Sequence, residues 1–385
     1  MDSEPLFSIV MPCLNEAETL EACITKARAS LLEHGLPSEI IVADNGSTDG
    51  SPEIAQRLGA RLVRAETKGY GSAVMAGIAA ARGTYVIMGD SDDSYDFARL
   101  GPFIRKLQEG YELVMGTRFK GGIEKGAMPL LHRYIGNPLV TTIGRIRFRS
   151  SCSDFHCGLR GFNRASVMRL DLRTTGMEFA SEMVVKATLY GLRIVEVPTI
   201  LSPDGRSRPS HVRTWHDGWR HLRFLLLYSP RWLFLYPGGL LMLLGLLGVA
   251  ALLRGPMVVG DTAVGVQTLL YSAVAIIIGF QAITFAVFTK VFAVLEGLLP
   301  PDLRLNTLFR YVRLESGLAV GAVLLLVGVG GAAYAFAEWR MSHFGALDPT
   351  RAARVIVPSV TSLILGFQIV LASFFLSVLG LKRRG

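Results

Sequence analysis

Apolar positions along this 385-residue chain follow two regimes. In the first, which runs to about residue 230, short apolar runs alternate with segments whose apolar residues recur near helical spacing. Phe7–Met11, Glu39–Ala43, Arg61–Val63 and Tyr85–Met88 read as buried strands. Ala17–Leu32, the segment after Gly50 and Val74–Ala81 read as the helices between them. This alternation predicts an α/β domain with a mainly parallel sheet and helices on both faces. Further on, Leu130–Gly136 reads as a helix and Val195–Pro198 as a closing edge strand. A helix beginning near Met177 carries Glu178 and Glu182 in its first turn, where capping explains them as well as function does.

The second regime has four runs without a charged residue: 232–253, 262–289, 316–337 and 355–381. Each exceeds the roughly 20 residues needed to cross a hydrocarbon core. Between the regimes, His211–Tyr228 mixes apolar and basic residues with Trp215 and Trp219, the composition of a helix lying in a membrane interface. The expected organisation is a soluble domain over 1–210, a juxtamembrane amphipathic helix over 211–231, and a four-span membrane domain over 232–385.

Charge refines this picture. Arg213, Arg220, Arg223 and Arg231 precede the first span; Lys290, Arg304, Arg310 and Arg313 separate the second and third; Lys382, Arg383 and Arg384 follow the fourth. The positive-inside rule places these groups in the cytoplasm, although Arg340, Arg351 and Arg354 reduce the contrast. The opening Met1-Asp2-Ser3-Glu4-Pro5 has neither the basic region nor the apolar core of a signal peptide. The soluble domain is therefore expected on the cytoplasmic side of the plasma membrane. The net charge of +9 is then mostly a membrane-surface feature, and no nucleic-acid motif accompanies it. Cys13, Cys23, Cys152 and Cys157 fit no zinc spacing and read as reduced structural thiols.

The candidate chemistry starts where the strand Tyr85–Met88 stops. Gly89 is followed by Asp90, Ser91, Asp92 and Asp93. Ligands of open α/β sheets bind beyond the carboxyl ends of strands. Clustered carboxylates there repel one another unless a cation joins them. Mg²⁺ or Mn²⁺ shared with a diphosphate suits Asp90 and Asp92, while the same residues alone also read as a solvated acidic turn. Asp44 ends the second strand on the same edge, so a nucleotide could lie across it, base near Asp44 and diphosphate near Asp90 and Asp92. Gly69 and Gly71 suit either close approach of backbone to a ligand or an ordinary helix-entry turn. No G-x-G-x-x-G follows the first strand and no P-loop is present, which removes the main support for dinucleotide oxidoreductases and P-loop ATPases.

Four motifs occur in register: Pro12-x-Leu14-Asn15-Glu16, Asp44-Asn45-Gly46-Ser47-Thr48-Asp49-Gly50, Lys68-Gly69-Tyr70-Gly71 and Gly89-Asp90-Ser91-Asp92. In order and spacing they resemble family-2 glycosyltransferases with the GT-A fold. Val114-Met115-Gly116-Thr117-Arg118 and the acidic loop Ser153–Phe162 look like the polyprenyl-phosphate branch, which includes dolichol-phosphate mannose synthases and bactoprenol-phosphate glucosyltransferases. The resemblance covers about residues 6–230 and matches the four-span tail only in kind.

The resemblance implies that Pro12, Leu14, Glu16 and Asp44 line a nucleoside pocket, with Lys68 and Gly71 at the nucleotide sugar. It implies that Asp90 and Asp92 hold Mg²⁺ or Mn²⁺ and the donor diphosphate. A third metal ligand of the mannose synthases, a Gln, falls here on Ser94, with Asp93 as a substitute. The family's late Gly-x-Ser-Lys element falls on Gly205-Arg206-Ser207-Arg208, making Ser207 and Arg208 a phosphate clamp with Arg206 as rival. Arg118, Arg133 and Asn137 are then placed to receive a lipid phosphate, or form surface ion pairs, and Asp154 to orient acceptor or sugar. His156 reads as structural. The expected activity is inverting, metal-dependent transfer of a hexose from UDP-glucose or GDP-mannose to dolichyl or undecaprenyl phosphate; a homo-oligomer is compatible with the sequence. Two rivals remain: a processive polysaccharide synthase, although Tyr228 stands where its Q-x-x-R-W signature needs Gln, and a non-catalytic membrane scaffold or lipid-translocation partner.

Overall fold

The computed structural model describes residues 4–208, 214–259, 261–301 and 313–381. The charge-bearing Arg213, Arg304, Arg310 and Lys382–Arg384, and the start of the interfacial segment at 211–213, lie outside the described residues. The chain divides into two compact units, Met1–Leu225 and Leu226–Gly385.

In the first unit seven strands form one sheet in the order β3-β2-β1-β4-β6-β5-β7. They are β1 Phe7–Cys13, β2 Ser38–Asp44, β3 Arg61–Arg64, β4 Tyr85–Met88, β5 Leu113–Thr117, β6 Arg160–Asn163 and β7 Ile194–Pro198. All pair in parallel except β6, which runs antiparallel to both β4 and β5. β1 is buried along its whole length, so it reads as a continuous apolar run and not as an alternation. Its register aligns Cys13 with Asp44 on one side and Val10 with Met88 on the other. Three loops thereby leave one edge together: the one after Cys13, the one after Asp44 and the one after Met88.

Helices α1 (Leu20–Glu33) and α4 (Gly101–Gln108) cover one face. Their Leu20, Ile24, Leu31, Phe103 and Leu107 pack with Phe7, Ile9, Met11 and Ile87 in a single cluster. α2 (Ser51–Arg57) links β2 to β3, and α3 (Tyr70–Ala80) lies on the other face. Gly77 of α3 sits so close to Val10 that a Cβ there would collide with the valine. The mostly parallel sheet with helices on both faces is the expected one.

The sequence reading missed β6, taking Ser153–Phe162 as a loop. The reason is physical: the strand is Arg-Gly-Phe-Asn and carries no apolar run. Arg160 is buried, and its guanidinium donates to the carbonyls of Cys157 (2.8 Å), Ala180 (2.9 Å) and Phe155 (2.8 Å). After β5 come a short helix α5 (Arg118–Gly121), a widened turn His132–Gly136 within the expected helical segment, α6 (Asn137–Phe148) and α7 (Arg164–Met168).

Helix α8 (Phe179–Leu189) is almost entirely buried and contains an ion pair, Lys186 Nζ to Glu182 Oε1 at 2.9 Å, with neither side chain exposed. The Glu182 carboxylate does not cap its own helix. It accepts the backbone N–H groups of Arg173 (3.0 Å) and Thr174 (2.8 Å) and the Thr174 hydroxyl (2.6 Å), fixing the segment that leads to Gly176 and Met177. α9 (Thr214–Leu227) follows.

Among the described residues, the second unit contains four long apolar helices: α10 (Tyr236–Leu252), α11 (Val266–Leu295), α12 (Leu314–Met341) and α13 (Pro349–Leu381). A widened turn at Arg231–Leu235 extends the first, and all four are long and apolar enough to cross a membrane. Thr262–Val264, expected at the start of the second span, instead form β9, which pairs with β8 (Met257–Val259) in a hairpin. α12 and α13 approach through Gly321 and Gly366, where a Cβ would press on the facing backbone. Small residues of this kind are what packs helices within lipid.

Replacing Glu182 by Ala leaves the Lys186 ammonium buried without its counter-charge. It is expected to cost about 3–5 kcal/mol, read as a fall in the thermal unfolding temperature. Glu182→Gln, which keeps acceptors for the Arg173 and Thr174 amides, is expected to lose less.

Candidate active site

A cavity of about 420 Å³ opens at the carboxyl edge of the sheet. Pro12, Leu14 and Glu16 reach it from β1, Asn45 and Gly46 from β2, Lys68, Gly69 and Tyr70 from the start of α3, and Asp90 and Asp92 from β4. Gly176 and Met177, held by the Glu182 brace, close one side, and Arg206 and Arg220 add cations.

Its carboxylates are crowded. Asp90 Oδ1 accepts the Tyr70 hydroxyl at 2.9 Å, and Gly158 presses so near Oδ2 that a Cβ would collide with it. Burial, and then the charge of Asp92, push the Asp90 carboxyl up to about 6, against the pull of Tyr70, Arg160 and Arg118. Asp92 Oδ1 accepts the Ser94 N–H (3.1 Å) and hydroxyl (2.6 Å). Its Oδ2 takes Arg206 Nη2 at 3.0 Å. Burial also raises the Glu16 carboxyl, opposed by Arg206 (3.1 Å) and Arg208 (3.0 Å). Arg206 reaches Asp204 as well, at 2.6 Å, so one guanidinium joins three carboxylates.

Among the described residues, no cluster of three or more His, Cys, Asp or Glu side chains forms a ready metal cage. The donor set fits a more open arrangement. Asp90 and Asp92 face one cavity, where burial and their mutual repulsion disfavour two bare carboxylates. A hard divalent cation held by one or two carboxylates, with phosphate oxygens completing its shell, suits such a pair. Asp93 and Ser94 do not line the cavity: Lys26 binds Asp93 at 2.7 and 2.8 Å, and the Ser94 hydroxyl is spent on Asp92.

Several expected site residues are placed differently. Asp44 is buried and does not line the cavity; it accepts the N–H groups of Gly46 and Ser47, each at 3.1 Å, and so shapes the loop that does. Gly71 also lies off the cavity, where a Cβ would strike the Thr174 carbonyl and Phe179, so its smallness serves helix packing. Gly69 donates its N–H to Asn45 Oδ1 at 2.7 Å and has φ +134°, with the Thr175 carbonyl against it.

Arg118 is neither a surface residue nor an open phosphate clamp. Its Nε and Nη2 grip Asp154 Oδ2 and Oδ1, both at 2.7 Å, and its N–H adds a third bond at 3.1 Å. The His156 N–H donates to Asp154 Oδ1 at 3.2 Å, so both carboxylate oxygens are engaged. Arg133 lies over the Tyr134 ring at 5.5 Å, Asn137 contacts the Met128 sulfur at 3.5 Å, and neither lines the cavity. Ser207 donates its N–H and hydroxyl to Glu18 (2.7 and 2.5 Å), and Arg208 donates to the Leu14 carbonyl (2.9 Å) and the Asn15 carbonyl (2.6 Å). These two tie the late loop to the β1 loop, and the cavity-lining arginine of the element is Arg206. His156 is half-buried beside His221, ring centroids 4.4 Å apart; desolvation, then His221, hold its pKa well below the usual imidazole value.

Two contributors escaped the sequence reading. Tyr70 was inside a quoted motif, but its bond to Asp90 has no local signature. Arg220 counted only as membrane-proximal charge.

Residues 8–171 match the model described as glycosyl transferase family 2, and residues 287–380 match the glycosyltransferase family 2 C-terminal transmembrane region. The chain is 37% identical over 382 residues to the low-salt glycan biosynthesis hexosyltransferase Agl6 of Haloferax volcanii, covering 98% of this chain and 90% of that protein. It is 30% identical over 192 residues to a dolichyl-phosphate hexose transferase of the same organism, covering 50% of this chain and 80% of that one. A solved structure of glucosyl-3-phosphoglycerate synthase from Mycobacterium tuberculosis, with Mn²⁺, UDP and glucosyl-3-phosphoglycerate, aligns with TM-score 0.45 and 23% identity, covering 58% of this chain and 78% of that one.

Arg118→Ala strands the buried Asp154 charge and is expected to cost about 3–5 kcal/mol. Thermal unfolding should show the loss, and Arg118→Met with Asp154→Leu should recover most of it. A residue acting only on substrate would leave the unfolding temperature unchanged.

Proposed function

We propose that this chain, which belongs to glycosyltransferase family 2, transfers a hexose from a nucleotide sugar to a polyprenyl phosphate. It is a glycosyltransferase and an integral membrane protein. One observation carries the finer reading. Asp90 and Asp92 face a cavity of about 420 Å³ with Lys68 and Arg206, on a chain with four membrane-length helices. The volume falls in the usual range for small-molecule sites. An acceptor with a prenyl tail stays in the bilayer, because each buried CH₂ holds it by about 0.8 kcal/mol, so an enzyme acting on it has reason to be anchored there. The Haloferax dolichyl-phosphate hexose transferase supports this acceptor class.

The nucleoside end of the donor would lie against Pro12, Leu14, Asn45 and Gly46. Its diphosphate would lie between Lys68, Arg206 and the Asp90–Asp92 pair. Mg²⁺ or Mn²⁺ bound by Asp90 and Asp92 would neutralise the leaving diphosphate. Tyr70, donating to Asp90, fixes the carboxylate on that side. A phosphate acceptor is already anionic near neutral pH, so its attack needs no strong general base. A phosphate oxygen forms the bond to the anomeric carbon as the bond to the diphosphate breaks with its electron pair. Displacement from the opposite face gives a β-linked lipid phosphate sugar from an α-linked donor. Asp154, with both oxygens engaged, positions Arg118 and the loop around it and takes no proton in this scheme. The basic groups flanking the spans support a cytoplasmic catalytic unit. UDP-glucose and GDP-mannose are the leading donors.

The test is transfer of labelled sugar from a panel of UDP- and GDP-hexoses to undecaprenyl or dolichyl phosphate by the full chain in detergent, with Mg²⁺ or Mn²⁺. One donor should give an organic-extractable, mild-acid-labile product that falls at least a hundredfold in Asp92→Asn, a loss on the scale of removing one electrostatic stabiliser. Nucleotide-sugar binding without product from any donor would overturn the reading.

A second expectation concerns pH. The Asp90 carboxyl is raised from 3.8 to about 6, so the stability associated with its protonated form is present below the unfolded value and lost as pH rises through about 6. In EDTA, the unfolding temperature of Asp90→Asn minus that of wild type should therefore grow between about pH 4 and pH 7. A flat difference would show that Asp90 ionises normally.

A further inference from the structure

Among the cations lining the cavity, Arg206 is joined to Glu16, Asp92 and Asp204. Arg118 and Arg133, the residues expected to receive an acceptor phosphate, do not line it at all. Arg220 does. Its guanidinium donates from Nη2 to Glu178 Oε1 at 2.8 Å, while Glu178 Oε2 is buried without a hydrogen-bond partner. Gly176 makes room: a Cβ there would collide with the guanidinium. Arg220 is thus held at one corner of its fork against the cavity wall.

The helix that carries it has two dissimilar faces. His221, Phe224 and Leu225 are buried, and the His221 imidazole Nδ1 is 2.9 Å from the Ser181 hydroxyl on α8. Trp215 and Trp219, four residues apart and so on one side of the helix, are 84% and 59% exposed. Arg223 and Leu227 are exposed beside them. Indoles, a cation and leucine on one face are the composition of a helix seated at lipid headgroups. One short helix therefore presents a membrane-seeking face to the outside and an arginine to the cavity.

We propose that Arg220 is a phosphate-binding residue of the transferase, brought by the interfacial helix α9 to where a lipid phosphate meets the donor. The inference rests on the transferase reading above. Glu178 presets the guanidinium, and an incoming phosphate takes the N–H groups that Glu178 does not, in the paired geometry an arginine fork favours. The ligand chemistry is a phosphate anion, with two sources: the acceptor's phosphate monoester and the donor's diphosphate.

Glu178→Gln with Arg220→Gln replaces the ion pair by two amides that can still bond, which keeps α9 seated. Arg220→Lys keeps the charge and loses the fork. Both variants, as full chains in detergent with wild-type unfolding temperatures as the check, are titrated calorimetrically with farnesyl phosphate and with UDP or GDP. KM for polyprenyl phosphate and for the nucleotide sugar is measured alongside. Losing a hydrogen bond to a charged group should weaken phosphate binding about tenfold or more in the double variant, with Arg220→Lys in between. Weakening confined to farnesyl phosphate assigns Arg220 to the acceptor, and weakening confined to the nucleotide assigns it to the donor. A folded double variant that binds both probes and uses both substrates as wild type does would overturn the proposal, leaving Arg220 a structural tie. Should the double variant not fold, the same readouts on Arg220→Lys decide. Arg220-dependent phosphate binding without sugar transfer by wild type would sink the transferase reading and leave the phosphate site standing.

Discussion

Three carboxylates, Glu16, Asp90 and Asp92, are brought to one sheet edge by the parallel register of β1 and β4. Unpaired, such a cluster opposes folding, because each buried charge raises the free energy of the others. The surrounding structure is arranged around that repulsion. Arg206 bridges Glu16 and Asp92, Arg208 reaches Glu16, Tyr70 donates to Asp90, and Arg160 and Arg118 act on Asp90 through space. The compensation is incomplete at Asp90, whose carboxyl stays near 6. A binding site for a cation–diphosphate pair needs such a residual deficit. A site fully neutral without ligand would have less to gain from one.

A second set of buried charges does not line the cavity. Glu182 and Lys186 pair within α8 and hold the Arg173–Thr174 backbone, which positions Gly176 and Met177. Arg118 and Asp154 pair between the end of β5 and the loop before β6. Buried ion pairs of this kind contribute little net stability, but they are costly to break singly. They fix loop geometry at an edge where loops would otherwise be the softest part of the fold. Loss of activity in single variants of these residues therefore does not by itself assign them to chemistry.

Much of the scaffold could be read from the chain because apolar runs announce parallel strands. Tyr85–Met88 was placed residue for residue, and Asp90 and Asp92 were placed at its end. β6 could not be read, since Arg-Gly-Phe-Asn has no apolar run and the buried Arg160 is satisfied by the carbonyls of Phe155, Cys157 and Ala180, bonds that hydrophobic patterning does not announce. The same limit applies to the arginines of the site. Motif spacing singles out Arg118, Arg206 and Arg208, of which only Arg206 lines the cavity. Whether a guanidinium faces ligand or carboxylate is settled by partners such as Asp154, Asp92 and the Leu14 carbonyl, which no local pattern encodes. Asp44 shows the converse: its motif marks a loop that lines the cavity, while its own side chain serves the backbone of that loop.

Mn²⁺ binding followed by electron paramagnetic resonance tests directly whether Asp90 and Asp92 form a cation-dependent diphosphate site. In the full-length wild type, Mn²⁺ should bind weakly alone and at least tenfold more tightly with UDP or GDP, because phosphate oxygens complete its coordination. Asp92→Asn should abolish the enhancement while leaving the fold intact. An Asp92→Asn variant that binds Mn²⁺ and nucleotide as wild type does, or a wild type whose nucleotide affinity is indifferent to Mn²⁺ and to EDTA, would contradict it.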